Sequence, residues 1–249
     1  MEERDAFLES LEILHYECTD STNKRAKLHA TPQFSGHALF VADSQTEGRG
    51  RLGRSFYSPA HTGLYLSYLF STKEPLSSFC ALTPAAAVAC ARVIERHCSH
   101  KVGIKWVNDL YVEGKKVCGI LTEAVTALSE GEEHKIIVGI GINLSTASFP
   151  AELAEIAGSL HLEADRMEMA KEIAFELSSY ALDPGDRSFM DEYVSRSVVL
   201  LKEVTMIKGD EKTFGQVVGF DGDGGLLLKT GEQVRLFTGG EVSLRLDGN

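Results

Sequence analysis

The chain is poor in the residues that make staples, membrane spans and basic surfaces. Its five cysteines, Cys18, Cys80, Cys90, Cys98 and Cys118, are odd in number and follow no framework spacing. That excludes a disulfide scaffold and favours a reducing compartment. The one metal-like cluster is His97, Cys98 and His100, with no second ligand pair at zinc-like spacing. It lies at the end of an expected helix, where histidine also suits the dipole. Basic residues are outnumbered, 25 against 36 acidic ones, for a formal charge of -11. A broad nucleic-acid-wrapping face is thereby excluded, although clustered arginines can still build a local positive site. Met1 to Ser10 is acidic and lacks the apolar core of a signal peptide. No apolar run approaches the ~18 residues of a spanning helix, so a cytoplasmic protein that uses neither membrane nor nucleic acid is expected.

What is present is an ordinary globular balance, 43% hydrophobic and 24% charged over 249 residues. Leu11 to Tyr16 alternates like a short strand, and Asp20, Ser21 or Thr22 caps a helix running to about Ala30. His37 to Ala42 forms a buried strand, Asp43 to Pro59 a loop, and Gly63 to Phe70 a strand with Leu64, Leu66 and Tyr68 on one face. The clearest helix is Pro84 to His97, with Thr83 as N-cap and proline in its first turn. Val102 to Trp106, Lys115 to Ala124 and Lys135 to Ile142 follow as strands, the last two joined by a turn at Glu130-Gly131-Glu132. Ala151 to Ser195 has helical spacing broken at Asp183-Pro184-Gly185. After Arg196 come short strands at tight spacing: Val198 to Ile207, Thr213 to Phe220, Leu226 to Lys229, Val234 to Phe237 and Val242 to Leu246. The expectation is α+β, with residues 1–196 as one domain and 197–249 as a small C-terminal β-barrel.

Two segments carry the chemistry. Gly48-Arg49-Gly50-Arg51-Leu52-Gly53 matches the dinucleotide fingerprint G-x-G-x-x-G, but that use needs a helix directly after the loop. Arg54-Ser55-Phe56-Tyr57-Ser58-Pro59 follows instead, extended and ended by proline. Arg49, Arg51 and Arg54 crowd into six residues and repel one another unless an anion joins them, and guanidinium suits phosphate and carboxylate. The loop therefore reads as an anion site. The second segment, Lys105-Trp106-Val107-Asn108-Asp109, holds the only tryptophan beside a lysine, an amide and a carboxylate at a strand end. Lys115-Lys116 opens the next strand, where one lysine can serve a site and the other face water. Val138 to Leu144 is an apolar strand interrupted by Gly139 and Gly141, a pattern that marks close approach of a ligand or another backbone. Asp221-Gly222-Asp223-Gly224-Gly225 lacks glycine at the sixth position of a calcium loop and reads as a turn.

Taken together, these segments resemble the biotin protein ligases. The resemblance runs through Asp20-Ser21-Thr22-Asn23, Gln45 with Gly48 to Arg54, Lys105 to Asp109, Lys116 to Leu121, Gly139 to Asn143 and Gly239 to Leu244. The family usually has proline at Val107 and often tryptophan at Phe56. Many relatives carry an N-terminal winged-helix domain, and a short form without one is expected here. The resemblance implies a mixed, mostly antiparallel sheet packed with helices, a catalytic domain like that of class II synthetases, and an SH3-like C-terminal barrel. It implies formation of biotinyl-AMP from biotin and ATP with Mg²⁺, then transfer to a lysine of a biotin carboxyl carrier protein. Biotin would lie among Ser21, Thr22, Asn23, Gln45, Gly48, Arg49, Gly119, Leu121, Gly139 and Gly141. ATP would meet Arg51, Arg54, Phe56, Lys105, Trp106, Asn108, Lys116 and Asn143. Arg49, Arg51, Lys116, Asn108 and Asp109 would serve catalysis, with Asn108 and Asp109 either ordering Mg²⁺ and phosphates or taking the acceptor lysine's proton. A lipoate or octanoate ligase and a non-enzymatic biotinyl-AMP sensor are the alternatives, and either a monomer or a homodimer fits.

Overall fold

The computed structural model describes residues 2–127 and 133–244. The turn expected at Glu130-Gly131-Glu132 and the residues after Leu244 lie outside the described residues. The strands are β1 (Glu12–Tyr16), β2 (His37–Ala42), β3 (Gly63–Thr72), β4 (Gly103–Lys105), β5 (Asp109–Val112), β6 (Lys115–Val125) and β7 (His134–Asn143). They form one sheet in the order β1-β2-β3-β7-β6-β5-β4. β1 and β2 are parallel, joined through helix α2 (Thr22–His29), and every other pair is antiparallel. β3 lies beside the central strand β7 and is buried on both faces, with Leu64, Leu66, Tyr68 and Phe70 in the main core. On that side packs helix α3 (Leu82–His97), whose alanine-rich body lets helix and sheet approach closely, with α4 (Arg166–Leu182) alongside. On the other side α2 covers β2, β3 and β7, leaving the face of β6 and β7 to the loops that build the site.

Several local expectations shift. α3 begins at Leu82, so Thr83 does not cap it; its hydroxyl instead meets that of Thr122 at 3.0 Å. The expected strand through Trp106 ends at Lys105. A tight turn over 106–108 leads into β5, which sequence patterning did not reveal because four residues are too few to show a period. Helix occupies only α4 and α5 (Met190–Ser195) of the expected 151–195 span. The earlier part runs through turns over 151–156 and then pairs with the start of β6, where Lys116 N–H bonds Ile156 O and Gly158 N–H bonds Lys116 O. Those bonds satisfy backbone groups of β6 that β7, ending at Asn143, does not reach. Residues 196–198 pair with Ile104 on the outer edge of the sheet, so the next strand starts only at Glu203. An unforeseen helix, α1 (Glu2–Ser10), packs Phe7 and Leu8 against the core.

Strands β8 (Glu203–Lys208), β9 (Glu211–Phe220), β10 (Leu226–Thr230), β11 (Gln233–Phe237) and β12 (Glu241–Leu244) form an antiparallel sheet ordered β11-β10-β9-β8-β12. β11 and β12 do not pair, so it is an open sheet and not the closed barrel expected. Its inner side chains, among them Val204, Met206 and Leu228, join the main core. One run, Leu76–His97, is long and apolar enough to cross a membrane, against the sequence-based expectation of none; 67% of it is buried in the protein as α3 and the turn before it.

α1 rests on an aromatic cluster. Phe7 meets His37 edge-on at 5.6 Å, and His37 stacks on Tyr68 while its Nδ1 lies 2.6 Å from the Tyr68 hydroxyl. Burial holds the His37 pKa below the ordinary histidine value. The unfolded chain therefore takes up the His37 proton first as pH falls, so its neutral form supports folding above about pH 6.5 and that support is lost below it. His37→Gln should flatten the fall in melting temperature between pH 7 and pH 5, measured by circular dichroism.

Candidate functional site

The sheet register lays out the floor. Tyr65 pairs with Gly141, Gly141 with Gly119, Gly119 with Asp109 and Asp109 with Lys105, so these five form one row across β3, β7, β6, β5 and β4. One step along, Ser67, Gly139 and Leu121 form a second row on the same face. The two glycines of the first row leave a trough, and Phe56 lies in it: a side chain on Gly141 would sit 2.5 Å from the Phe56 ring. The space over Gly139 belongs to Asn23 in the same way, 1.9 Å from an added Cβ. Each of these strand glycines thus makes room for a side chain of the protein itself.

Lys116 reaches this face through a β-bulge. The register shifts between Leu110 and Tyr111, so Val117 and Cys118 both enter the core while Lys116 joins Gly119 over the trough. Lys116 Nζ lies 2.7 Å from Asp109 Oδ1, a buried oxygen whose angles fall outside those of a hydrogen bond. Lys115 faces the other way and bonds the carbonyls of Ala154 and Glu155. Lys105 sits over Tyr111 at 5.5 Å, and burial pushes its pKa below the ordinary lysine value despite the opposing pull of Asp109.

The glycine-arginine loop covers the trough. No helix follows it; Arg51–Gly53 is a single 3-10 turn with Leu52 in left-handed conformation, φ 55°. Arg51 donates to Asn108 Oδ1 at 2.9 Å and to Gly240 O, while Asn108 Nδ2 donates to Ile120 O. The loop is thereby tied to the Lys105–Asp109 segment and to the C-terminal sheet at once. Arg54 is exposed and pairs with Glu241 at 2.6 Å. Arg49 is exposed, and among the described residues its side chain has no partner. Gly48 packs against Phe56 O, Ser58 and Gln45. Trp106 is 4% exposed and spends its indole N–H on Gly224 O, in the turn read from Asp221 to Gly225. It anchors the C-terminal sheet to the main one, and part of its edge reaches the cleft wall.

Two clefts open from the trough. The smaller, about 450 Å³ and partly open to solvent, lies between α2 and the second glycine row. It brings together Ser21, Thr22, Asn23, Gln45, Arg49, Gly119, Leu121, Gly139 and Gly141. Ser21 occupies the N-cap position of α2 in extended conformation, yet its hydroxyl makes no capping bond and is left for the cleft. Just before it, Lys24 holds the Asp20 carboxyl well below the usual carboxylate range. The larger cleft, about 1510 Å³ with the adjoining open solvent included, is lined by Arg51, Arg54, Lys105, Trp106, Asp109 and Asn143, with an aromatic wall of Tyr57 and Phe149 whose rings are 6.2 Å apart. Asn143 is 4% exposed; its amide nitrogen bonds Gly158 O and its buried Oδ1 has no partner. Arg51, Phe56, Asn108 and Lys116 line both clefts. Three polar residues behind the smaller cleft, Ser58, Ser67 and Glu123, escaped sequence reasoning. Ser67 could have been found as the one small polar residue among the leucines and aromatics of Leu64 to Phe70. Among the described residues no group of three His, Cys, Asp or Glu stands close enough to hold a metal ion.

Comparison with known proteins agrees with this arrangement. Residues 15–143 match the Biotin/lipoate A/B protein ligase family, and residues 202–245 match the Biotin protein ligase C terminal domain. The chain is 31% identical over 243 residues to the bifunctional ligase/repressor BirA of Bacillus subtilis (strain 168), covering 93% of this chain and 74% of that protein. It is 29% identical to the biotin--[acetyl-CoA-carboxylase] ligase of Paracoccus denitrificans, covering 87% and 94%. Among solved structures, the biotin protein ligase of Aquifex aeolicus in complex with biotin and ATP superposes with a TM-score of 0.75 at 31% identity, covering 94% of this chain and 98% of that one. With both domain matches and these relatives in agreement, the chain belongs to the biotin protein ligase family.

Proposed function

We propose that the chain joins biotin to a lysine of a biotin carboxyl carrier protein in two steps. The carrying observation is the meeting of a narrow polar-ended cleft and a wide cationic one at Arg51, Phe56, Asn108 and Lys116. Biotin occupies the first cleft, head inward toward Ser21, Thr22 and Gln45. ATP occupies the second, between the aromatic wall and Lys105, with Asn143 Oδ1 as a free acceptor for a nucleobase amine. A biotin carboxylate oxygen then attacks the α-phosphorus, pyrophosphate leaves, and biotinyl-AMP remains. Bringing two anions together is costly, and Arg49, Arg51, Arg54, Lys105 and Lys116 surround the junction with positive charge that offsets it. Asp109, whose buried oxygen lacks a well-formed hydrogen bond, together with the nucleotide phosphates would hold Mg²⁺, which supplies further charge neutralisation when bound.

In the second step the acceptor amine attacks the acyl carbon and AMP leaves. Until then water must be kept out, and Arg51 with its loop covers the adenylate, held from one side by Asn108 and from the other by Gly240.

Charged hydrogen bonds contribute about 1.5–3 kcal/mol each, so Lys116→Ala should slow biotin-dependent pyrophosphate–ATP exchange by one to two orders of magnitude. Unchanged exchange would make Lys116 a structural residue. Arg51→Ala should shorten the lifetime of enzyme-held biotinyl-AMP, followed by filtration of labelled complex. The whole reading is tested by mass spectrometry of a carrier domain incubated with the protein, ATP, Mg²⁺ and biotin. The expected outcome is one biotinyl addition on one lysine; addition from lipoate or octanoate in its place would move the chain to the sister activity.

A further inference from the structure

From behind the smaller cleft to its wall runs a chain of polar side chains, of which Glu123, Ser67 and Ser58 do not line the cleft. Glu123 Oε2 lies 3.0 Å from Asn23 Nδ2, and Asn23 Oδ1 lies 2.5 Å from Ser67 Oγ. Ser67 Oγ is 2.8 Å from Thr22 Oγ1, which is 3.2 Å from Gln45 Oε1. Gln45 Oε1 also accepts from Thr22 N–H at 2.8 Å, and Gln45 Nε2 donates to Ser58 Oγ at 2.9 Å. Ser67 is fully buried, and Thr22 and Asn23 nearly so.

The direction of the protons along this chain can be worked out. Asn23 faces two oxygens that carry no proton, the Glu123 carboxylate and the Leu121 carbonyl, so its nitrogen points at them and its oxygen at Ser67. A hydroxyl has one proton to give. At 2.5 Å the Ser67–Asn23 contact must contain one, since two bare oxygens that close repel. Ser67 has then spent its proton, so Thr22 gives its own to Ser67. Nothing remains between Thr22 Oγ1 and Gln45 Oε1. Two acceptor oxygens thus stand side by side on the cleft wall with no donor between them.

We infer that Glu123 and Ser67 are positioning residues which set the polarity of this wall, so that it accepts N–H donors from the ligand head and disfavours heads that offer none. The inference rests on the biotin reading and deepens it. A cyclic urea supplies N–H groups, whereas a dithiolane or a plain acyl chain supplies none and would leave the cleft-facing lone pairs of both oxygens unmet. Glu123, with Lys27 Nζ 3.5 Å away, fixes the amide of Asn23, and the buried hydroxyl of Ser67 carries that choice to Thr22.

The test is calorimetric titration of biotin, and of its cyclic carbamate analogue with one ureido N–H replaced by oxygen, into the full chain and into Ser67→Ala and Glu123→Gln. In Ser67→Ala the Thr22 proton is free to sit between Thr22 and Gln45. In Glu123→Gln the Asn23 amide is free to turn over. Each variant should bind biotin about tenfold more weakly, the value of one hydrogen bond in this setting. The preference for biotin over the carbamate should shrink by a similar factor, while the KM for ATP in pyrophosphate exchange stays unchanged. A packing defect alone would weaken both ligands equally and leave the preference intact, which would overturn the assignment. Melting curves exclude unfolding, and Glu123→Gln, being isosteric, serves if Ser67→Ala does not fold. If the unaltered chain does not bind biotin, the functional reading falls and this one with it. Biotin bound by the unaltered chain, with the preference kept in both variants, overturns the relay alone.

Discussion

The site depends on a stretch of sheet that carries no side chains. Gly119 and Gly141 stand opposite each other on β6 and β7, flanked in the same row by Tyr65 and Asp109. Any side chain at Gly141 would strike Phe56. Because the trough exists, the loop bearing Phe56 can lie down on the sheet, and Arg51, one turn earlier, is brought to Asn108. Because the loop lies there, the space on the sheet is divided into a narrow cleft toward α2 and a wide one toward the C-terminal sheet. The charge placement follows from the same geometry: a bulge turns Lys116 onto the trough beside Asp109, and the loop brings Arg51 and Arg54 from above.

The C-terminal sheet is joined to this centre at three points: Trp106 to Gly224, Arg51 to Gly240 and Arg54 to Glu241. The first is buried and binds through the one tryptophan in the chain, so it acts as a fixed anchor. The other two involve a loop residue and an exposed ion pair, which contributes little by itself. A buried anchor thus stands beside two contacts made by the glycine-arginine loop.

Sequence and structure part company in instructive places. The order of strands and the main helices were legible because long apolar runs of period two or 3.6 dominate them. β5 was not, since four residues between Asp109 and Val112 carry too little pattern. The 151–165 segment has helical spacing, but after turns over 151–156 it is claimed by the backbone groups of Lys116, a demand made by a distant strand. The C-terminal strands were read from their glycine turns, but whether such a sheet closes depends on the pairing of β11 with β12, which no local pattern encodes.

For the site, sequence alone marked the candidate residues: three arginines among glycines, a lysine–tryptophan–amide–carboxylate run and two strand glycines carry the resemblance to the biotin protein ligases. Tertiary structure decided what each residue touches. It gave the Gly139 space to Asn23 and the Trp106 indole to an anchor, both assignments made by partners more than a hundred residues away. It also placed Ser67 and Glu123 behind the cleft, where the single proton of a buried hydroxyl chooses which atoms face a ligand. Residue types carry reactivity, but proton direction and face are set by neighbours in space, and those neighbours come from β3, β6, β7, helix α2 and the loop after β2.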